Sequence, residues 1–221
     1  MILAAGRGER LRPLTDTTPK PLLSVGGEPL IAHQLRCLRS AGITEVVINV
    51  HHLGEQIQAF CGDGQHFGLT IAYSHEPVLL ETAGGIVNAL PLLGDAPFVL
   101  LNGDVFSDFT FNTLPAAPPD WADLHIVVTP TPAYRDHGDF ECTNDRVTKR
   151  GEAYVYCGIA VIDPAWLGTL PTGPFSLQQP LFQAVASGRV SAQIWPGEWI
   201  DIGTPTQLRD INARLSSGSP N

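Results

Sequence analysis

MILAAGRGERLRPLTDTTPKP, residues 1–21, sets a short apolar run (2–4) directly before a loop with two glycines, three arginines and, after a turn, one lysine between two prolines. Such a segment delivers backbone N–H groups and fixed positive charge to one point, which suits a polyphosphate. Gly6-Arg7-Gly8-Glu9-Arg10 alone is equally compatible with an ordinary tight turn. It lacks the third glycine of the dinucleotide fingerprint, since Leu11 stands there, and the Gly-Lys-Ser/Thr end of a Walker loop. Pro19 and Pro21 stiffen the backbone around Lys20 and restrict where its ammonium points, a restraint that a solvated lysine does not need.

Outward from this loop, apolar runs alternate with helical patterns. The spacing predicts a helix over 29–41, with Ile31, Leu35 and Leu38 on one face and Gly42 past the end. Strands are expected at 46–50, 69–73 and 98–104, with helices at 55–60 and 83–90 and a turn at 62–64. This rhythm predicts a mostly parallel sheet with helices on both faces. Ligands in such sheets bind at the carboxyl ends of the strands, where residues 5–10 and 102–104 fall. Residues 113–120 read as a Pro-rich connector, and 124–130 and 154–162 as strands. The polar stretch 133–152 reads as paired edge strands or a lid-like loop. A helix at 176–187, strands at 190–195 and 199–203, and a last helix follow; Thr204 caps that helix, Pro205 opens it, and it runs to about 214. One domain over 1–215 and a disordered tail over 216–221 are expected.

The chain has 221 residues, 43% apolar and 16% charged, enough for a sizeable core. A formal charge of −9 disfavours nucleic acid or an anionic membrane as a partner. Arg7, Arg10, Arg12 and Lys20 nevertheless fall in the first twenty positions, and Lys149 is the only other lysine. Cys37, Cys61, Cys142 and Cys157 are scattered without metal-ligand spacing, as in a cytoplasmic protein with reduced thiols. No stretch is long and apolar enough for a membrane span or a signal peptide core. A monomer and a homodimer are equally compatible with the sequence.

Asn102-Gly103-Asp104 suits a hairpin turn. The preceding FVLL, however, suits a central parallel strand, and an acid at its end is a candidate oxygen ligand for Mg²⁺. Asp201 in WIDIGTP is either a polar neighbour of the Thr204 cap or a second such ligand. His51 and His52 fit a solvated loop better than a pocket. Trp195 and Trp199 suit packing as well as a sugar face, and Gly138-Asp139-Phe140 suits a β-turn or a carboxylate on sugar hydroxyls.

LAAGRGERLRPLTDTTPKPLLSVGGEPLI, beginning at residue 3, resembles the opening signature of sugar-1-phosphate nucleotidylyltransferases. EPVLLETAGGI (76–86), LNGDVF (101–106), YCGIAV (156–161) and WIDIGTP (199–205) follow the family's later landmarks in order. The resemblance implies a Rossmann-like three-layer α/β fold of the nucleotide-diphospho-sugar transferase type, with a mostly parallel mixed central sheet. It also implies transfer of a nucleoside monophosphate from an NTP to a sugar 1-phosphate with release of pyrophosphate. By this resemblance Ala4, Ala5, Gly6, Gly8, Glu9 and Arg10 would wrap the nucleotide phosphates and part of the base. Arg10 would stabilise charge on the α-phosphate, and Lys20 would neutralise the phosphates during attack. Glu76, Thr82 and Gly84 would read base and ribose, with Asn102 beside them. Asp104 and Asp201 would hold the catalytic Mg²⁺, and Asp139, Glu152 and Gly158 would face the sugar.

Within the family, LETAGGI, LNGDVFSDF, HGDF and WIDIGT look most like short bacterial uridylyltransferases acting on N-acetylmuramate 1-phosphate in cell-wall recycling. UTP and that sugar phosphate are therefore the expected substrates. Mannose-1-phosphate guanylyl transfer and glucose-1-phosphate uridylyl transfer are the alternatives, and the ending near 221 argues against an appended acetyltransferase repeat. The chain departs from the family's Glu-Lys-Pro element: Lys149 is followed by Arg150, with no proline. A catalytically silent nucleotide-sugar sensor would have no use for the aspartate pair or Arg10. A Rossmann dehydrogenase is disfavoured by the missing third glycine.

Overall fold

The computed structural model describes residues 1–217. In chain order the elements are β1 (Ile2–Leu3), α1 (Leu14–Thr17), β2 (Ser24–Val25), β3 (Glu28–Pro29), α2 (Leu30–Ser40), β4 (Glu45–Val50), α3 (Gly54–Cys61), β5 (Thr70–His75) and α4 (Glu81–Leu93). Then come β6 (Phe98–Asn102), β7 (Val105–Ser107), β8 (Leu124–Pro130), β9 (Phe140–Thr143), β10 (Arg146–Arg150) and β11 (Tyr154–Ile162). The chain closes with α5 (Pro164–Leu167), α6 (Gln178–Ala186), β12 (Val190–Ile194), β13 (Trp199–Asp201) and α7 (Pro205–Ser216).

Nine strands form one sheet in the order β5-β4-β1-β6-β11-β8-β12-β10-β9. β5, β4, β1 and β6 are mutually parallel, and β8 and β12 are parallel to each other. β11 runs antiparallel to both β6 and β8, and β10 to both β12 and β9, so the sheet is mixed, with seven of its nine strands running one way, as the sequence implied. Its apolar runs reflect burial on both faces. Alternation along β4 sends Val46, Ile48 and Val50 to the side where Ile31, Leu35 and Leu38 of α2 pack, and Val47 to the side covered by Ala83, Ile86 and Ala89 of α4. Two cores thus sandwich the sheet between helix layers.

Several expectations change in detail. The strand expected to end on an acid ends at Asn102, and Asp104 sits in the turn beyond it. Asn102-Gly103 is not a hairpin: β6 pairs with β1 and β11, whereas β7 leaves the sheet to pair with β13. Gly103 is needed there because a Cβ would be driven into the Leu3 carbonyl. The polar 133–152 stretch continues a loop that covers 131–139 and then forms the paired strands β9 and β10. Thr204 does cap α7, its hydroxyl accepting from the Gln207 N–H at 3.3 Å. The expected tail starts too early, because Ser216 still belongs to α7; residues 218–221 lie outside the described residues. No helix among the described residues is long and apolar enough to cross a membrane.

Candidate active site

The parallel register brings three residues into one row at the carboxyl edge of the sheet. Leu3 pairs with Asn49 on one side and with Asn102 on the other. This row floors a cleft of about 560 Å³, whose walls include Ala4, Ala5, Gly6, Gly8, Glu9, Arg10, Lys20, Thr82 and Asp104. Residues over a hundred positions apart in sequence therefore share one concavity at the sheet edge where a doubly wound fold binds ligands.

Two glycines of the loop differ in kind. Gly8 has φ +63°, and a Cβ there would lie 2.8 Å from Thr15 Cγ2, so the turn itself requires glycine. The Thr15 hydroxyl secures it by donating to the Gly8 carbonyl at 2.9 Å. A Cβ on Gly6 would meet nothing within 4 Å. Bare backbone is thus presented to the cleft at a point where folding alone would tolerate a side chain.

The loop is held from behind. Asn49 Oδ1 accepts the Ala4 N–H at 2.7 Å, and Asn49 Nδ2 donates to Glu76 Oε1 at 2.7 Å. Glu76 Oε2 accepts the Leu80 N–H at 2.9 Å. Both carboxylate oxygens are thereby engaged, and the residue is only 4% exposed. This corrects the expectation that Glu76 meets the base: it is a buried brace between the loop and the start of α4. Gly84 is likewise buried and outside the cleft, where a Cβ would collide with the Gly173 carbonyl. Among the cleft residues that sequence reasoning missed are Leu79 and Glu81 in the wall and Asn49 in the floor. Glu81 holds a left-handed φ of +59°, uncommon for a residue with a side chain. Asn49 carried one visible sign, a polar residue inside the apolar run VVINV, which demands a buried partner.

The two aspartates converge through backbone pairing. Asp201 opposes Val105 in the β7–β13 ladder, and the Ile202 N–H donates to the Asp104 carbonyl at 2.9 Å. Gln34 of α2 pins the turn, its Nε2 donating to the carbonyls of Asn102 and Val105 at 2.9 Å each. Each carboxylate faces a cation. Lys20 Nζ lies 2.6 Å from Asp104 Oδ2, and Arg135 Nη2 lies 2.6 Å from Asp201 Oδ2. Asp104 and Gly203 line the cleft, whereas Asp201, two residues before Gly203, does not. Arg10 rests against Gly203, where a Cβ would come within 2.9 Å of its Nη2. Arg10 has no ion-pair partner among the described residues.

The residues expected to face the sugar are placed beside the cleft rather than in its wall. Asp139 Oδ2 accepts the Tyr156 N–H at 2.9 Å, and Glu152 Oε2 accepts the Gly138 N–H at 2.9 Å, so both shape the 131–139 loop. Gly158, with φ +71° at the irregularity of β11, would set a Cβ 2.8 Å from the Asn102 side chain and so backs the cleft floor. Trp199 is packed, donating from Nε1 to the Cys157 carbonyl at 2.8 Å, and Trp195 Nε1 donates to Asp108. His51 Nδ1 is 2.8 Å from the Glu76 carbonyl and His52 Nε2 3.0 Å from the Thr15 carbonyl, both structural contacts. Arg150 is stacked on Phe182, 4.2 Å from the ring centre, and neither it nor Lys149 lines the cleft.

Among the described residues no three His, Cys, Asp or Glu side chains cluster as a metal site. Asp104 and Asp201 supply two hard oxygen donors next to a cleft able to admit phosphates. That set fits Mg²⁺, which keeps several waters and binds through one or two carboxylates plus substrate oxygens.

Comparison with known proteins identifies the family and the fold. The Nucleotidyl transferase family profile matches residues 1–148. The N-acetylmuramate alpha-1-phosphate uridylyltransferase of Neisseria meningitidis serogroup B is 42% identical over 96% of both chains. Its namesake from Caulobacter vibrioides is 33% identical over 98% of this chain and 96% of its own. A probable mannose-1-phosphate guanylyltransferase of Oryza sativa is 32% identical over 93% of this chain but 61% of its own. In fold the chain is similar to a putative glucose-1-phosphate thymidylyltransferase from Bacillus anthracis, with TM-score 0.83 and 22% identity over 100% of this chain and 96% of that one. A sheet whose parallel edge floors a glycine-loop cleft, the family match over two thirds of the sequence and full-length relatives together place the chain in the nucleotidyl transferase family.

Proposed function

We propose that this protein transfers UMP from UTP to N-acetylmuramate 1-phosphate, giving UDP-N-acetylmuramate and pyrophosphate. The observation that carries the reaction class is the meeting of Arg10, Lys20 and Asp104 on one cleft beneath the glycine loop, with Asp201 joined to Asp104 across a single β-ladder. The choice of sugar and base is supported by the two full-length relatives that bear this activity in their names.

The chemistry asks little of proton transfer. The attacking atom is a phosphate oxygen, already anionic at neutral pH, so no general base is needed. The barrier is the approach of two anions and the charge that develops on the α-phosphate. Arg10, without an ion-pair partner among the described residues and resting on Gly203, offers a planar fork for two α-phosphate oxygens. Lys20 acts as a point charge that can turn from Asp104 to the phosphates. Gly6 lets the backbone approach the triphosphate, and the Asn49–Glu76 brace keeps that loop in place. Thr82, Glu81 and Leu79 line the wall available to ribose and base. Asp104 and Asp201 would hold Mg²⁺, and the bound ion supplies neutralisation of the phosphate charge.

Pyrophosphate release measured for the four NTPs against N-acetylmuramate, mannose and glucose 1-phosphates tests this assignment. UTP with N-acetylmuramate 1-phosphate is expected to give the highest kcat/KM. A best pair of GTP with mannose 1-phosphate would overturn it in favour of guanylyl transfer, the activity in the name of the rice relative.

A further inference from the structure

Arg135 belongs to the loop 131–139, outside every motif that suggested the site. Its guanidinium bonds Asp201 Oδ2 at 2.6 Å and lies over the Trp199 ring, 5.4 Å from its centre. The side chains of this pair are 30% and 20% exposed. The loop is tied down at both ends. The Thr131 N–H donates to the Ala153 carbonyl at 3.0 Å, the Asp139 N–H to the Tyr154 carbonyl at 2.7 Å, and the Arg135 N–H to the Pro132 carbonyl at 2.9 Å. The guanidinium is therefore presented to Asp201 by an anchored segment.

Each carboxylate of the pair carries one cation: Lys20, in the cleft wall, pairs with Asp104, and Arg135 pairs with Asp201. Arg10 and Lys20 both line the cleft proposed for the triphosphate. A second anionic substrate that attacks the α-phosphorus enters next to the same carboxylates and needs its own counter-charge. Lys149 and Arg150, which stand where the chain departs from the family's Glu-Lys-Pro element, lie outside the cleft, and Arg150 is committed to Phe182. Arg135 is the cation that sits on Asp201, the second carboxylate of the pair. A guanidinium and a divalent ion on one carboxylate would repel each other in a half-buried site, so a metal held by Asp201 would favour release of Arg135 to another anion.

Resting on the functional reading above, we propose that Arg135 is a two-position cation, paired with Asp201 in the metal-free protein and with the phosphate of the acceptor sugar during transfer. A bidentate fork suits that phosphate as it suits the carboxylate.

The test uses the full chain and the variants Arg135→Ala and Arg135→Lys, each checked for a wild-type circular dichroism spectrum. Mn²⁺ binding without substrates, followed by electron paramagnetic resonance, is expected to tighten at least about threefold in Arg135→Ala, because its competitor for Asp201 is gone. The KM for sugar 1-phosphate is expected to rise about tenfold or more while the KM for NTP stays within about twofold, with Arg135→Lys between the extremes. Unchanged or weaker Mn²⁺ binding, or an equal rise in both KM values, overturns the proposal. A wild type inert toward every NTP and sugar phosphate overturns the functional reading and the acceptor role with it. An active wild type with unaltered constants in Arg135→Ala overturns the role of Arg135 alone.

Discussion

Asn49 and Glu76, one at the end of β4 and the other just past β5, are joined by a buried 2.7 Å hydrogen bond that ties the glycine loop to the start of α4. Asn49 holds the Ala4 amide with its other end, and Glu76 holds the Leu80 amide with its second oxygen. Glu76→Gln replaces one acceptor with a donor that must face an N–H group. It is therefore expected to destabilise the fold by about 1–3 kcal/mol, the cost of an unsatisfied buried polar group. Asn49→Ala is expected to do likewise and to raise the KM for NTP, since the Ala4 amide loses its tether. Urea unfolding beside steady-state kinetics checks both effects.

Lys20→Ala and Asp104→Ala are each expected to lower kcat by about 100-fold or more, the scale of losing one preorganised electrostatic group. Because the two side chains are 2.6 Å apart, the double variant should lose less than the product of the single losses. A folded Asp104→Ala protein with near-normal turnover would contradict the metal role.

Gly158→Ala and Gly6→Ala separate fold from function. At Gly158 the φ of +71° and the 2.8 Å approach to Asn102 make a methyl group costly, about 1–3 kcal/mol of stability. At Gly6 nothing lies within 4 Å of the added carbon. Its thermal midpoint should shift little, while NTP affinity measured by calorimetry falls because the methyl group occupies ligand space.

His125 gives a pH dependence. Its ring lies 2.9 Å from Ser191 Oγ and 3.1 Å from Gln193 Oε1, and burial lowers its pKa from 6.5 against the opposing Gln193 bond and Asp145 charge. The unfolded chain then binds more protons than the folded one below that value. The stability that His125 contributes is full above about pH 6.5 and is lost as the pH falls toward the folded pKa. Unfolding free energies at pH 7.5 and 5 should therefore differ less in His125→Gln than in the wild type.

Thiol chemistry should be quiet in the native state. Burial pushes Cys61 up to about 12 and Cys142 up to about 11, and raises Cys37 and Cys157 as well. Iodoacetamide at pH 8 should label the native protein slowly, at the partly exposed Cys37 and Cys142, and all four thiols only after denaturation.

Local information was enough for much of this molecule. The runs at 46–50, 98–104 and 124–130 announce buried strands because parallel strands are covered on both faces, although the second stops at Asn102, and Thr204-Pro205 marks a helix start by its own chemistry. The proline-bracketed Lys20 and the Gly6–Gly8 loop point to an anion for the same local reason. What local pattern could not express was partnership. Nothing near Glu76 in sequence reveals that its carboxylate is consumed by Asn49 and Leu80, nor that Asn102-Gly103 leads out of the sheet instead of closing a hairpin. Asp104 and Asp201 become neighbours only through the β7–β13 ladder, and Arg135 reaches Asp201 only because its loop folds over that ladder. Backbone preference and hydrophobic period act over a few residues and are written in the chain. The pairing of buried charges and amides depends on which strands lie side by side, and that is settled only when the sheet assembles.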